Sequence, residues 1–159
     1  MSETEPIALE LEQLQDFEFR LRFLHPPAGE LLTDEPAPLG RGVGPNPALL
    51  LAGAVGNCLA ASLLFALRKF RNEPGRLRAE VRAERARNAE GRWRIVRIAV
   101  RLFLAESGES IAHRERILEQ FERFCIVTES VRSGIPVEVQ VLDGEGALLH
   151  QSQAGGGHG

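Results

Sequence analysis

Phe17, Phe19, Leu21 and Phe23 alternate with Glu18, Arg20 and Arg22. A period of two puts the apolar set on one face of a strand, so this segment predicts a half-buried strand. Pro26-Pro27-Ala28-Gly29 predicts a turn, and Glu30-Leu31-Leu32-Thr33 its return strand. Residues 1–15 carry no such regularity and are expected to be irregular or weakly helical. Residues 34–47 hold four prolines and three glycines, which predicts a loop. The next twenty residues, 48–67, contain no charge. Asn46 is placed to cap this run and Pro47 to occupy its first helical position. The pattern predicts one long helix to about Phe70, stopped by Asn72-Glu73-Pro74-Gly75.

Alternation returns at Leu77, Ala79, Val81 and Ala83. After a turn at Asn88-Ala89-Glu90-Gly91 it resumes at Trp93 and Ile95, then at Ile98, Val100, Leu102 and Leu104. The phase slips by one near Val96-Arg97, which predicts a bulge. Ser107-Gly108-Glu109-Ser110 introduces an amphipathic helix with Ile111, Ile117, Leu118, Phe121 and Phe124 on one face, ending at Cys125. A short helical piece follows, broken at Ser133-Gly134-Ile135-Pro136, then a last strand through Val137, Val139 and Val141. Residues 151–159 read as a flexible tail. The order ββ-α-ββ-α-β with hairpin connections predicts an α+β fold, with antiparallel strands and two long helices, in a single domain spanning 1–159.

The uncharged helix changes the picture most. It has the length of a membrane span, but Asn57 lies near its middle, it is rich in Ala and Gly, and strands flank it. A helix apolar on all sides is expected inside a larger core. One subunit of 159 residues cannot wrap it, which predicts a homodimer with this helix buried centrally and no membrane partner. Ala52, Gly56 and Ala60, four apart, leave room for a second helix to approach. Asn57 is expected to make a buried hydrogen bond that fixes register or pairing.

Charge adds less. The net charge is −3, yet residues 1–19 hold six acids and no base, while 68–101 hold twelve Lys/Arg against four acids. Arg78, Glu80, Arg82 and Glu84 alternate in sign along one strand, and no stretch interleaves basic residues with stacking aromatics. Nucleic acid is therefore not the expected partner. The acidic start lacks the basic opening of a signal peptide, so the cytoplasm is the expected compartment.

The chemistry rests on two cysteines, Cys58 in the uncharged helix and Cys125 at the end of the amphipathic one. Two thiols on two helices can form a reversible dithiol/disulfide couple. They are equally the small buried hydrophobes that free cysteines usually are. His25, His113, His150 and His158 have no metal-ligand spacing. No phosphate-binding glycine loop and no Ser/His/Asp context is present, so no cofactor is expected.

The stretch Gly44-Pro45-Asn46-Pro47-Ala48-Leu49-Leu50-Leu51-Ala52, followed by Gly56-Asn57-Cys58, resembles the OsmC/Ohr family of osmotically inducible and organic-hydroperoxide-resistance proteins. That family has an Asn-Pro helix opening, an Ala/Gly-rich helix and a reactive Cys twelve residues after the Asn, where Cys58 stands. A second Cys before a short helix and a Val-rich strand is matched by Cys125, and the resemblance spans roughly residues 15–142. It implies an intertwined homodimer that reduces organic hydroperoxides. Cys58 would be the peroxidatic thiol and Cys125 the resolving one. An early-strand arginine, Arg20 or alternatively Arg22, would support the thiolate. A dithiol reductant, a lipoyl protein or a thioredoxin-like one, would close the cycle. Two positions depart from the family: Ala48 stands where a Glu holds the catalytic Arg, and Ile126-Val127-Thr128 stands where Pro, an aromatic and Ser often follow the second Cys. The first departure implies a slower thiol, because a lost orienting partner weakens a site without abolishing its chemistry.

Overall fold

A computed structural model of the chain describes residues 3–134, 139–142 and 148–152. The chain forms two compact units, Met1–Asn57 with Arg76–Ala105, and Cys58–Gly75 with Glu106–Gly159. The architecture is α+β with antiparallel strands, as the pattern predicts.

In the first unit, strands β1 (Ala8–Gln15), β2 (Glu18–His25) and β3 (Pro27–Thr33) form one antiparallel sheet in that order. β1 corrects the expectation of an irregular residue 1–15 segment. Its Leu9 and Leu11 alternate with Glu10 and Glu12, and the register sets Glu10 opposite Arg22 and Glu12 opposite Arg20. Cross-strand pairs of opposite charge stabilise such a sheet. The acidity that made β1 look unstructured is what matches it to β2. Asp16 closes the hairpin in the left-handed region, at φ 46°.

The loop from Asp34 to Asn46 is organised around one carboxylate. Asp34 is buried, and its oxygens accept N–H bonds from Glu35 (2.8 Å), Arg41 (2.9 Å) and Val43 (3.3 Å). Glu18, also buried, pairs with Arg41. A Cβ on Gly44 would lie 2.2 Å from the Leu32 carbonyl oxygen, so only glycine lets the loop pass the sheet here. This packing delivers Asn46, whose Oδ1 accepts the Leu49 N–H at 3.0 Å and caps helix α1 (Pro47–Lys69). The Glu35 carboxylate in turn holds the Asn46 amide at 3.3 Å.

Helix α1 buries Ala52, Val55, Leu59, Leu63, Ala66 and Leu67, a single stripe at helical spacing. The helix is long and apolar enough to cross a membrane, with mean hydropathy 2.0, but only 28% of that apolar window is buried within the chain. Asn57 is exposed, against the expectation of a buried hydrogen bond. The small residue Gly56 admits a strand and not a helix: a Cβ there would meet Val81 Cγ2 at 2.3 Å. Val81 belongs to hairpin β4 (Arg78–Arg87) and β5 (Trp93–Phe103). Glu84 faces Arg97 and Arg85 faces Ile95, so Val96 is the extra residue of a bulge where the phase slips.

In the second unit, α1 ends at Arg71, left-handed at φ 59°. The Asn72 N–H closes the last turn onto the Leu67 carbonyl at 3.0 Å. The Asn72 side chain then accepts the Ala112 N–H at 2.8 Å and donates to the Ala112 carbonyl at 3.1 Å, fixing the helix end to the segment that follows. The expected second long helix is segmented: a 3-10 turn at Gly108–Ser110, α2 (Arg114–Gln120), a 3-10 turn at Phe121–Phe124, and α3 (Ile126–Ser133). Cys125 between them is extended, φ −83° and ψ 94°. Eight residues of continuous helix would rotate Cys125 about 80° away from Ile117. With the break, both are buried. Gly134, at φ 72°, ends α3. A last antiparallel pair, β6 (Val139–Leu142) and β7 (Leu148–Ser152), follows. Val137 lies outside the described residues. The tail expected from residue 151 is strand through Ser152, and 153–159 lie outside the described residues.

Burial pushes the Asp34 pKa up, but the N–H groups of Arg41, Val43, Glu35 and Gly42 outweigh it and hold the carboxyl below its ordinary value. A depressed folded-state pKa stabilises the fold above the unfolded value of about 3.9 and loses that effect as pH falls through the lower value. Amide exchange at Arg41 and Val43 is therefore expected to be slow at neutral pH and fast in strong acid. In Asp34→Ala it should be fast at both; slow exchange at neutral pH in that variant would exclude Asp34 as the loop's organiser.

Candidate thiol site

Both cysteines fall in the second unit, and its elements bring their side chains together. Cys58 opens the second-unit half of α1 and is half-buried. Cys125 sits at the break before α3 and is 0% exposed. The two thiols lie near enough for each to shift the other's titration. The Cys125 thiol also donates to the Thr128 hydroxyl oxygen at 2.9 Å, and Thr128 is itself buried.

Electrostatics divides the pair. Burial raises both thiols, because it disfavours the charged form. At Cys125 the donors win: Cys58, the Thr128 hydroxyl, the Thr128 N–H and the Ser62 hydroxyl together hold it below the ordinary thiol value. At Cys58 burial and the neighbouring Cys125 win, and push it up, although the Val127 and Thr128 N–H groups pull the other way. Those two N–H groups belong to the first turn of α3, where amides have no partner within the helix. Two thiols coupled in this way titrate as a unit.

Arg20 and Arg22 are placed differently. Both lie on β2 in the first unit, held by carboxylates of their own sheet. Arg20 pairs with Glu12 and Glu30, each at 3.6 Å, and Arg22 pairs with Glu30 at 3.2 Å. The donors that reach the thiol pair are hydroxyls and backbone amides of the second unit. Sequence reasoning passed over Thr128 and Ser62. The signal was spacing: Ser62 is four residues after Cys58 on the same helix face, and Thr128 is three after Cys125. Among the described residues no group of three or more His, Cys, Asp or Glu is arranged to hold a metal ion.

The family model described as OsmC-like protein matches residues 40–140, more than half of the chain. The chain belongs to the OsmC-like family. No curated protein matches it. Among solved structures, a putative osmotic stress induced and detoxification response protein from Psychrobacter arcticus 273-4 is similar, at TM-score 0.66 and 18% identity over 82% of this chain and 91% of that one. An organic hydroperoxide resistance protein OsmC from Legionella pneumophila aligns at TM-score 0.59 and 12% identity, covering 82% and 92%. An organic hydroperoxide resistance protein from Elizabethkingia anophelis aligns at 0.56 and 15%, covering 85% and 94%. At these identities the likeness establishes the OsmC-like fold, in which both cysteines of this chain lie on the second unit's helical elements.

The thiol pair is expected to ionise in two separated steps. In the reduced protein, thiolate absorbance should rise once below and once above the free-thiol value of about 8.5. Cys125→Ser should remove the lower step and leave Cys58 titrating near or above that value. A single step at 8.5 in the wild-type protein would mean that the sulfurs do not interact.

Proposed function

We propose that this OsmC-like protein is a thiol-dependent peroxidase for organic hydroperoxides, working in the cytoplasm, where thiols are returned to the reduced state. The observation that carries the reading is the nearness of a half-buried thiol, Cys58, to a buried one, Cys125, close enough for each to shift the other's titration. Cys58, as thiolate, attacks one peroxide oxygen. The O–O bond breaks, the alkoxide leaves with the electron pair and is protonated to the alcohol, and Cys58 is left as the sulfenic acid. The Cys125 thiolate then attacks that sulfur. The S–S bond forms, the S–O bond breaks, and hydroxide leaves as water once protonated. A dithiol reductant, lipoyl or thioredoxin-like, returns both cysteines to thiols. Prompt capture matters because an unresolved sulfenic acid proceeds to irreversible forms.

Apolar surface beside the pair suits an alkyl or aryl hydroperoxide. Phe124 and Ile126, which flank Cys125 in the chain, are 63% and 79% exposed. Ala48 favours a second reading: a non-enzymatic OsmC-like dimer that binds a small apolar ligand or senses oxidants, since no side chain at that position can orient an arginine. The two readings separate in one assay. Reduced protein should consume cumene hydroperoxide with dithiol turnover, and Cys58→Ser should abolish it. Oxidation of the pair once, without turnover, would leave the sensor reading standing and remove the enzyme.

The homodimer belongs to the same proposal. Leu49 and Phe65 of α1 are 63% and 64% exposed in the single chain, and an apolar helix face of this kind needs cover. A second copy provides it, over an interface expected to exceed about 2,000 Å². Sedimentation should give a dimer at micromolar concentration, and Phe65→Glu should weaken it. A folded wild-type monomer under those conditions would refute the dimer.

A further inference from the structure

The Thr128 hydroxyl makes a direct hydrogen bond with the resolving sulfur, at 2.9 Å with both partners buried. A hydroxyl both donates and accepts. It accepts from the Cys125 thiol, and by rotating about its C–O bond it donates to the thiolate. It therefore follows the sulfur through ionisation without any movement of the backbone. Thr128 is the third residue of α3, and β-branching restricts its χ1 in a helix. Its own N–H is among the donors that act on both sulfurs. One residue thus holds the buried sulfur by its side chain and faces the pair by its main chain.

We propose that Thr128 is a positioning residue for disulfide closure: its hydroxyl holds the Cys125 sulfur by a direct hydrogen bond in the buried site, and so sets how fast Cys125 attacks Cys58. The inference deepens the proposed peroxidase reading by assigning a residue to its resolving half, but the closure step is general to any oxidised form of Cys58. Hydrogen bonds to a charged group are stronger than those between neutral groups. Removing this one raises the pH at which Cys125 ionises and frees its side-chain rotamer, and both changes slow closure.

A simple structural role, filling a buried polar position, predicts a different outcome, and the test separates the two without peroxide. Reduced protein is treated with dithiodipyridine, which forms a mixed disulfide on the accessible Cys58. Cys125 then attacks the Cys58 sulfur, the protein disulfide forms, and the second thiopyridone leaves with the electron pair and is read by absorbance. Thr128→Val keeps the shape and loses the hydroxyl. It is expected to slow this second release about tenfold at neutral pH and to move its pH midpoint upward. Thr128→Ser should restore both rate and midpoint. Circular dichroism and thermal melting of each variant report folding, and Thr128→Ser keeps the test open if the valine variant is unstable. Closure in Thr128→Val at the wild-type rate with an unmoved pH midpoint would overturn the proposal, as would slow closure that Thr128→Ser does not rescue. A parallel arm adds cumene hydroperoxide and traps sulfenic acid on Cys58 with dimedone. Absence of that adduct counts against the peroxidase reading alone, because the dithiodipyridine arm reads Thr128 independently.

Discussion

The chemistry of this chain depends on the break in helix at Cys125. An uninterrupted helix from Arg114 to Ser133 would satisfy its amides internally and turn Cys125 away from the side that buries Ile117. The extended backbone at Cys125 changes both. It points the sulfur inward, and it restarts a helix whose first-turn N–H groups are free to face sulfur. The hydroxyl of Thr128 is positioned by the same restart. A single backbone conformation therefore supplies the burial, the amide donors and the side-chain donor of the site.

Accessibility and acidity are divided between the two sulfurs, and the division has a cost and a use. Cys58 can meet a solute, and burial together with the neighbouring Cys125 pushes its thiol up. Cys125 holds charge readily but is sealed from solvent, which protects a reactive thiolate from oxidants it would otherwise meet first.

Much of this was legible in the residues. The alternation in β2, β4 and β5, the bulge near Val96, the Asn46 cap and the end of α1 follow from period, phase and local capping, which are written in neighbouring side chains. β1 was not legible, because its stabilising partners, Arg20 and Arg22, lie across a hairpin and its own residues look like an acidic tail. The break at Cys125 was hidden for a different reason. Ile117, Phe121 and Phe124 keep helical spacing up to it, and no Gly or Pro marks it, so only burial of the sulfur distinguishes two short helices from one. Arg20 shows what the strand's own sequence does not reveal: its ion-pair partners, Glu12 and Glu30, lie across the sheet.

The departures after Cys125 follow from which groups the site uses. Ile126, Val127 and Thr128 are the first three residues of α3. The first of them opens the helix, a position that proline and isoleucine can both occupy. The second contributes only its main chain, which is indifferent to whether the side chain is aromatic or Val127. The third contributes both main chain and hydroxyl, and there the chain keeps a hydroxyl residue. The helix start and the Thr128 hydroxyl are the features of this stretch that act on the sulfurs. The side chains between them are left to pack, or to face whatever covers the exposed Ile126.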